Sequence, residues 1–467
     1  MTQAPFVSFA DPTALSLVTE GRFRSTVEVL SWLETMNRER PMKVDLVALD
    51  ELPEWSFCSG PLSLGHNSGK FFTMRGVRTE TDFGKVPVWD QPIICQPEIG
   101  ILGFITRVFD GVRYFLIQAK VEPGNINGFQ ISPTLQATRS NLTRAHRGST
   151  PRYAEYFTGK KPVNILVDQL QSEQGSRFLN KQNRNMVVEP LEDVPLYDDF
   201  CWVTLAQIKT LLQRDNIVTM DARSVLSCMP LPRWEMLGCG GLHEFGDSLS
   251  ISACHDNAGV HTNHELLQWL TWMRSSYERK LSVRGLDELT AWRKTRHEIS
   301  HESGRYFSVV GVSVESNSRE VSRWTQPLVY HPGEGINGLI TQRIRGVLHF
   351  LVRACLYPGN RDHFELGSTV SRSDYLSCAG HPDAPEFLDL FIDRDPSWVR
   401  YSSIQSEEGG RFYHYQNRYM VLELPAGTIK EVPEYFRWFT LGQIQSLIPH
   451  GYFTIEMRNL HACLLLY

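Results

Sequence analysis

No apolar run in the 467 residues approaches the ~20 needed to span a bilayer. The first residues, MTQAPFVSFADPTALSLVTEGRF, lack the basic stretch and apolar stretch of a secretory signal. The nine cysteines are odd in number and scattered, and no C-x-x-C pair occurs. Free thiols in a reducing cytosol fit that pattern better than a disulfide framework, so a cytoplasmic protein is expected. Basic runs are also missing. With a net charge of −5 and a pI near 6.3, the chain offers no nucleic-acid surface. There is no G-x-G-x-x-G after a strand pattern and no G-x-x-x-x-G-K-[ST], so neither a nicotinamide Rossmann site nor a P-loop is indicated. His297-Glu-Ile-Ser-His301 matches H-E-x-x-H, but it runs straight into Ser303-Gly304 and a β-type run, so a zinc site is not expected.

What is present is a repeat. QSEQGSRFLNKQNRNMVVE from Gln171 matches QSEEGGRFYHYQNRYMVLE from Gln405. GVRYFLIQAKVEPGN from Gly111 matches GVLHFLVRACLYPGN from Gly346. HNSGKFF from His66 pairs with HESGRYF from His301, WDQP from Trp89 with WTQP from Trp324, and WVTLAQIKTLL from Trp202 with WFTLGQIQSLI from Trp438. The offset stays between 234 and 236, a register that chance similarity would not keep. The chain therefore reads as two diverged copies of one domain, at about 20–229 and 262–467, with a Pro/Gly-rich linker over 230–261.

Each copy opens on an amphipathic helix pattern, Val27, Leu30, Trp32 and Leu33 in the first and Leu266, Leu267, Trp269 and Leu270 in the second. Short β-type runs follow: GKFFTMRGV, RYFLIQAKV and RNMVVEP in the first copy. Each copy closes on a helix after W-x-T-L, where Thr204 or Thr440 can cap. The predicted class is α+β, a mixed sheet flanked by helices, twice.

Two segments carry chemistry. In QSEQGSRF, Gly175 lets a turn bring backbone N–H groups to an anion, and Arg177 can clamp a phosphate. A structural turn in which Glu173 and Arg177 pair would use the same residues. On the run from Gln118, the side chains of Gln118, Lys120 and Glu122 share one strand face. They line a pocket or form the solvated face of an edge strand. Comparing the copies favours the pocket. Gln118 becomes Arg353, Lys120 becomes Cys355, Glu122 becomes Tyr357, and SPTLQATRS from Ser132 becomes GSTVSRSDY from Gly367. The scaffold is kept while the chemistry is lost, as in a duplicated enzyme that needs one active site, here in the first copy.

WDQP, FLIQAKVEPGN, SPTLQATRSN, His146 with the tyrosines of PRYAEYF, and QSEQGSRF with QNRNMVVE resemble the NDP-hexose 2,3-dehydratase family of deoxysugar biosynthesis, over nearly the whole chain. The resemblance implies a Nudix-hydrolase-like fold for each repeat, a dimer, and action on dTDP-4-keto-6-deoxy-glucose. The C2 hydroxyl would be lost, and the 3,4-diketo-2,6-dideoxy product passed to an NADPH-dependent 3-ketoreductase. No G-x5-E-x7-R-E-x2-E-E box is present, so Mg²⁺-dependent pyrophosphate cleavage is not expected. Nor is a cofactor, since oxidation at C3 and reduction at C2 cancel.

The elimination needs a base for the C3 hydrogen, an electrophile for the enolate and an acid for the leaving oxygen. Glu122 is expected as base and Lys120 as enolate partner. Glu173 or a tyrosine, Tyr153 or Tyr156, would be the acid, with His146 also available. Arg177 and Arg147 would hold the diphosphate. Trp89, Gln118, Gln130, Ser132, Thr134, Gln136, Thr138, Gln171, Ser172 and Gly175 would line the substrate. A relic nucleotide-sugar pocket in the second copy would use Trp324, Arg353, Thr369, Gln405, Ser406, Glu407 and Arg411. The rival readings are a binding protein with both copies inactive and a metal-dependent nucleotide-sugar hydrolase.

Overall fold

The computed structural model describes residues 11–58, 60–142, 150–230, 244–254, 258–317, 321–373 and 384–465. His146 and Arg147 lie outside them.

The helix Thr26–Glu39 starts at a capping box, Ser25 with Glu28, and its partner Asn263–Ser276 at another, Thr262 with Glu265. Their buried stripes are Val29, Trp32, Leu33 and Met36, and Leu266, Trp269, Leu270 and Met273. Spacings of three and four make each a single face. Val27, which the sequence pattern placed on the stripe, is instead 71% exposed. Thr204 and Thr440 cap as expected. Each accepts from the amide of the glutamine three residues on, Gln207 or Gln443, whose side chain accepts from the threonine's own amide.

Each repeat builds a seven-stranded mixed sheet. In the first, the strands run Val163–Ser172, Gln182–Pro190, Gly100–Phe109, Val112–Lys120, Phe200–Val203. The short Gln130–Ser132 and Leu135–Ala137 pair with Val112–Lys120 and Gly100–Phe109. In the second, the order is Val399–Ser406, Gln416–Leu424, Glu334–Ile344, Val347–Leu356, Phe436–Phe439, with Phe364–Gly367 and Val370–Arg372 in the two short places. The single parallel pair is equivalent in both, Gln182–Pro190 on Gly100–Phe109 and Gln416–Leu424 on Glu334–Ile344. Gln118 faces Phe200 as Arg353 faces Phe436, and Trp55 faces His66 as Trp292 faces His301. These are the equivalences that duplication demands. The H-E-x-x-H match falls on the strand Glu298–His301, not on a helix.

The two smaller sheets exchange strands. Met42–Val47, from the first repeat, pairs antiparallel along Ser308–Ser316 of the second. Arg279–Arg284, from the second, pairs along Thr73–Thr81 of the first. Within the stretch read as linker lies a helix, Glu244–Cys254. It matches Pro12–Ser16 of the first repeat: Ser252 Oγ accepts from the Leu441 amide as Ser16 Oγ does from that of Leu205. Glycine and proline nearby made this stretch read as irregular, yet its apolar residues seat it on the second sheet.

The largest core cluster draws on both repeats. At its centre the helices Met220–Ser227 and Ile455–Leu465 pack together, carrying the fully buried Arg223 and Arg458. Arg223 donates to Gln405 Oε1 at 2.8 Å and to the Ser406 carbonyl at 2.8 Å. Arg458 donates to Ser224 Oγ at 2.7 Å and to the Ser172 carbonyl. A buried guanidinium is tolerated only with such partners.

Candidate functional site

The strand Val112–Lys120 delivers Lys120 at its end, and Glu122 follows on the turn Glu122-Pro-Gly-Asn125. Lys120 Nζ stands 3.1 Å from Glu122 Oε1, with side chains 12% and 11% exposed. Lys120 also donates to Gln136 Oε1, and Gln136 Nε2 donates to Glu122 Oε1 at 3.4 Å. Ser132 Oγ reaches Gln136 Oε1 at 3.4 Å. The structure thus brings Lys120, Glu122, Ser132 and Gln136 together.

The other wall of this group comes from the second repeat. The Gly124 amide donates to the Gly409 carbonyl at 2.7 Å, and the His414 amide to the Gly124 carbonyl at 2.9 Å. A methyl group on Gly124 would stand 1.6 Å from the Phe412 carbonyl oxygen, so only glycine permits this approach. The turn 357–360 mirrors it against the first repeat: the Gly359 amide donates to the Gly175 carbonyl at 2.7 Å. The interlock sets Glu408 beside Glu122. Both Oε1 atoms lie 3.4 Å from the point a Gly410 methyl would occupy. Arg411 donates to Gln96 Oε1 at 3.2 and 3.1 Å. Gln326, which accepts from Trp324 Nε1, donates to the Gly410 carbonyl at 2.9 Å. Asp221, at the start of the central helix, lies within the field of Glu408, Glu122, Glu173 and Lys120.

Burial, with Glu408, Glu122 and Glu173 added, pushes the Asp221 carboxyl well above the usual carboxylate range, against the pull of Lys120. Burial also raises Glu408; Arg411 opposes that rise and Glu122 adds to it. Glu173 is raised to about 7 by burial first and Glu408 second. Its Oε1 accepts from Asn183, while Oε2 has no hydrogen-bond partner among the described residues. Burial lowers Lys181, which donates to the Glu98 carbonyl.

Trp89 and Arg177 are not brought to Lys120. They line a cavity of about 760 Å³ over the second repeat, with Arg353, Cys355, Tyr357 and Glu456. Arg177 donates to Tyr415 OH at 3.2 Å and stacks 4.1 Å over Phe307, as Arg411 stacks 4.4 Å over Phe72. The two copies trade their arginine turns: Arg411 follows Gly410, which lies beside Glu122, and Trp324, read from sequence with Arg411 as a second-pocket residue, bonds Gln326, the donor to the Gly410 carbonyl.

Several other residues tie the fold. Thr134 Oγ1 donates to the Leu116 carbonyl and accepts from the Ile105 amide; Thr369 does the same with Leu351 and Ile340. Gln171 donates to the Ile448 carbonyl, and Gln405 to that of Leu212. Ser406 donates to Gln130 Oε1 and Ser172 to Glu365 Oε2, each at 2.8 Å. Thr138 caps with Asn141. Gln118 donates to Asp199 at 3.1 Å. Gly175 packs on Asn360, where a methyl would stand 1.9 Å from Oδ1. Glu407 accepts from Asn417, Gln174 and Tyr419.

Neither tyrosine offers its hydroxyl to the group. Tyr153 OH donates to the Pro195 carbonyl at 2.7 Å, and Tyr156 OH to Glu192 at 3.0 Å. Burial drives Tyr153 further from ionising. Tyr153→Phe should therefore keep turnover within a few-fold and cost about 1 kcal/mol of stability for one hydrogen bond. Steady-state rates beside a urea melt would check this, and a hundred-fold rate loss would return the hydroxyl to the chemistry.

The first repeat's family of motifs recurs in what the chain matches. A family model described as NDP-hexose 2,3-dehydratase fits residues 26–229 and again 263–464. The chain belongs to this family. A dTDP-4-dehydro-6-deoxy-α-D-glucopyranose 2,3-dehydratase of Saccharopolyspora spinosa is 43% identical over 94% of this chain and 91% of its own. One of the same name from Amycolatopsis orientalis is 40% identical over 98% and 94%. A solved ADP compounds hydrolase aligns over 31% of this chain and 76% of its own, at 15% identity and a TM-score of 0.20, too slight a likeness to carry an argument. In this 2,3-dehydratase family member the residues missed from sequence are Asp221, Lys181 and Glu408. The signal was there: QSEEG in the second copy against QSEQG in the first puts Glu408 where Gln174 stands.

Three buried carboxyls bear on stability. Burial raises Glu173 and Glu407 to about 7 and Glu365 to about 8. Such a group holds a proton in the folded chain that the unfolded chain has lost, so its contribution is full below about pH 4.5 and is lost as pH rises to about 8. Melting temperature should fall between pH 5 and pH 8. Glu365→Gln should flatten that fall, since Gln130 already pairs with a serine at the equivalent place. Differential scanning at both pH values decides it, and an unchanged slope in the variant would refute the assignment.

Proposed function

We propose that the chain removes water across C2 and C3 of dTDP-4-keto-6-deoxy-glucose, giving the dTDP-3,4-diketo-2,6-dideoxy sugar. The observation that carries this is the Lys120–Glu122–Gln136 group, a cation beside a carboxylate, replaced by Cys355 and Tyr357 in the copy without that chemistry. The C4 ketone acidifies the C3 hydrogen. Glu122 takes it, and the Lys120 ammonium steadies the enolate. Expulsion of the C2 oxygen as water leaves an enol that tautomerises to the diketone. Atoms balance with one water lost and no redox change.

The unstable diketone calls for a 3-ketoreductase with NADPH to consume it. A homodimer is supported by Ile165 and Leu170, exposed on the edge strand Val163–Ser172. Scattered free thiols support a cytoplasmic home; among the described residues no helix is long and apolar enough to cross a membrane.

Incubation with the 4-keto sugar should release the C2 oxygen without nicotinamide, while a 3-ketoreductase plus NADPH should trap a 2,6-dideoxy sugar. Deoxygenation that itself required NAD(P)H would refute the elimination.

A further inference from the structure

We infer that Glu408, carried by the second repeat, is the acid that protonates the departing C2 oxygen in a site whose base, Glu122, belongs to the first. The inference rests on the dehydration proposed above and names a residue for its second half.

An elimination across adjacent carbons needs two proton-transfer groups a few ångströms apart. Glu122 Oε1 and Glu408 Oε1 each stand 3.4 Å from one point, so the gap between them cannot exceed twice that. They face each other across the Gly124–Gly409 interlock, whose backbone hydrogen bond fixes their separation. Their surroundings differ. Glu122 is in direct ion-pair contact with Lys120, which favours the carboxylate. The Glu408 carboxyl is raised by burial and by Glu122 despite Arg411. An ion-paired carboxylate facing a buried carboxyl supplies a base and an acid.

The alternatives are placed worse. Asp221 is 2% exposed, below the surface that a sugar would touch. Glu173 is likewise buried, with one oxygen held by Asn183. Glu408 is partly accessible. Where the second copy's own strand lost Lys120 and Glu122, the turn facing it lost the acid too: Gln174 stands in place of Glu408. The counterparts of Glu122 and Glu408 are replaced together at one site, by Tyr357 and Gln174, and both carboxyls are present together at the other.

The proton accounting closes. The C3–H bond breaks and its proton goes to Glu122. The electron pair, held as the C4 enolate, forms C2=C3 as the C2–O bond breaks, and the oxygen leaves as water with the Glu408 proton. In the tautomerisation the Glu122 proton passes to C2 and the C3 hydroxyl proton returns to Glu408, restoring both.

The test uses two substrates, the natural 4-keto sugar and its 2-fluoro analogue, from which fluoride leaves without a proton. Glu408→Gln should lower turnover of the hydroxyl substrate at least ~10²-fold and eliminate fluoride within a few-fold of wild type. It should also still exchange the C3 hydrogen with D₂O. Glu122→Gln should lose all three. The glutamine is accommodated in this turn, since Gln174 occupies the equivalent place and donates to Glu407. Glu408→Asp, which keeps a carboxylic acid, should recover part of the loss. Equal slowing of both substrates by Glu408→Gln, or no slowing of either, overturns the role. A wild-type enzyme that neither exchanges nor eliminates would overturn the dehydration itself, a distinguishable failure.

Discussion

Glu122→Gln should cut turnover at least ~10²-fold, the scale for losing a general base, with the melting temperature little changed. The amide keeps the volume and can still accept from Lys120, while the proton acceptor is gone. Tyr357→Phe, at the equivalent place in the second repeat, should leave turnover within a few-fold, because Cys355 and Tyr357 stand there in place of the Lys120–Glu122 pair. Steady-state rates on the 4-keto sugar, taken with thermal melts of both variants, decide the matter. Melts are needed because Glu122 is also an ion-pair partner, and removal of one member of a partly buried pair can loosen the fold. An active Glu122→Gln beside a dead Tyr357→Phe would put the chemistry in the other pocket.

Cutting the chain between Pro230 and Glu244 should leave each half alone inactive and unstable. The first half would lose Arg279–Arg284 from its small sheet, and would expose the core face that meets the second. It would also lose Glu408 and Arg411 from beside Glu122. Co-expression of the halves should restore a soluble complex that turns over substrate, because the exchanged strands can pair between chains as they do within one. Gel filtration and an activity assay on the purified complex are the readout. Full turnover by residues 1–230 alone would refute the shared site.

Much of this was legible in the sequence. The constant offset exposed the duplication, and T-L-A-Q and T-L-G-Q wrote two capping boxes in local code. Lys120 and Glu122 stood out once the copies were compared, because a strand places alternate residues on one face whatever lies beyond it. Partnership between repeats was not legible. Nothing local in Met42–Val47 says that its neighbour is Ser308–Ser316, some 270 positions on. Assigning Arg177 to the Glu122 site assumed that a copy keeps its own turn, and the interlock of Gly124 with Gly409 reverses that assumption. Asp221 and Arg223 were passed over because TMDAR against TIEMR looks like an ordinary helix start. Their burial makes them matter, and burial is a property of the packed molecule.

The traded turns bear on how variation in this protein is best read. A substitution in the segment 405–412 falls, by position, in the copy that carries Cys355 and Tyr357 in place of Lys120 and Glu122, yet that segment is a wall of the Glu122 group. Selection on the proposed Glu122 site would therefore reach across the chain's midpoint, and the two halves would not drift as separate units. A mutant library confined to the first repeat would sample the floor of the pocket and miss its opposite wall. The same trade makes the second copy indispensable to the proposed site: shortening the gene to one repeat would remove Glu408 and the turn that faces Glu122.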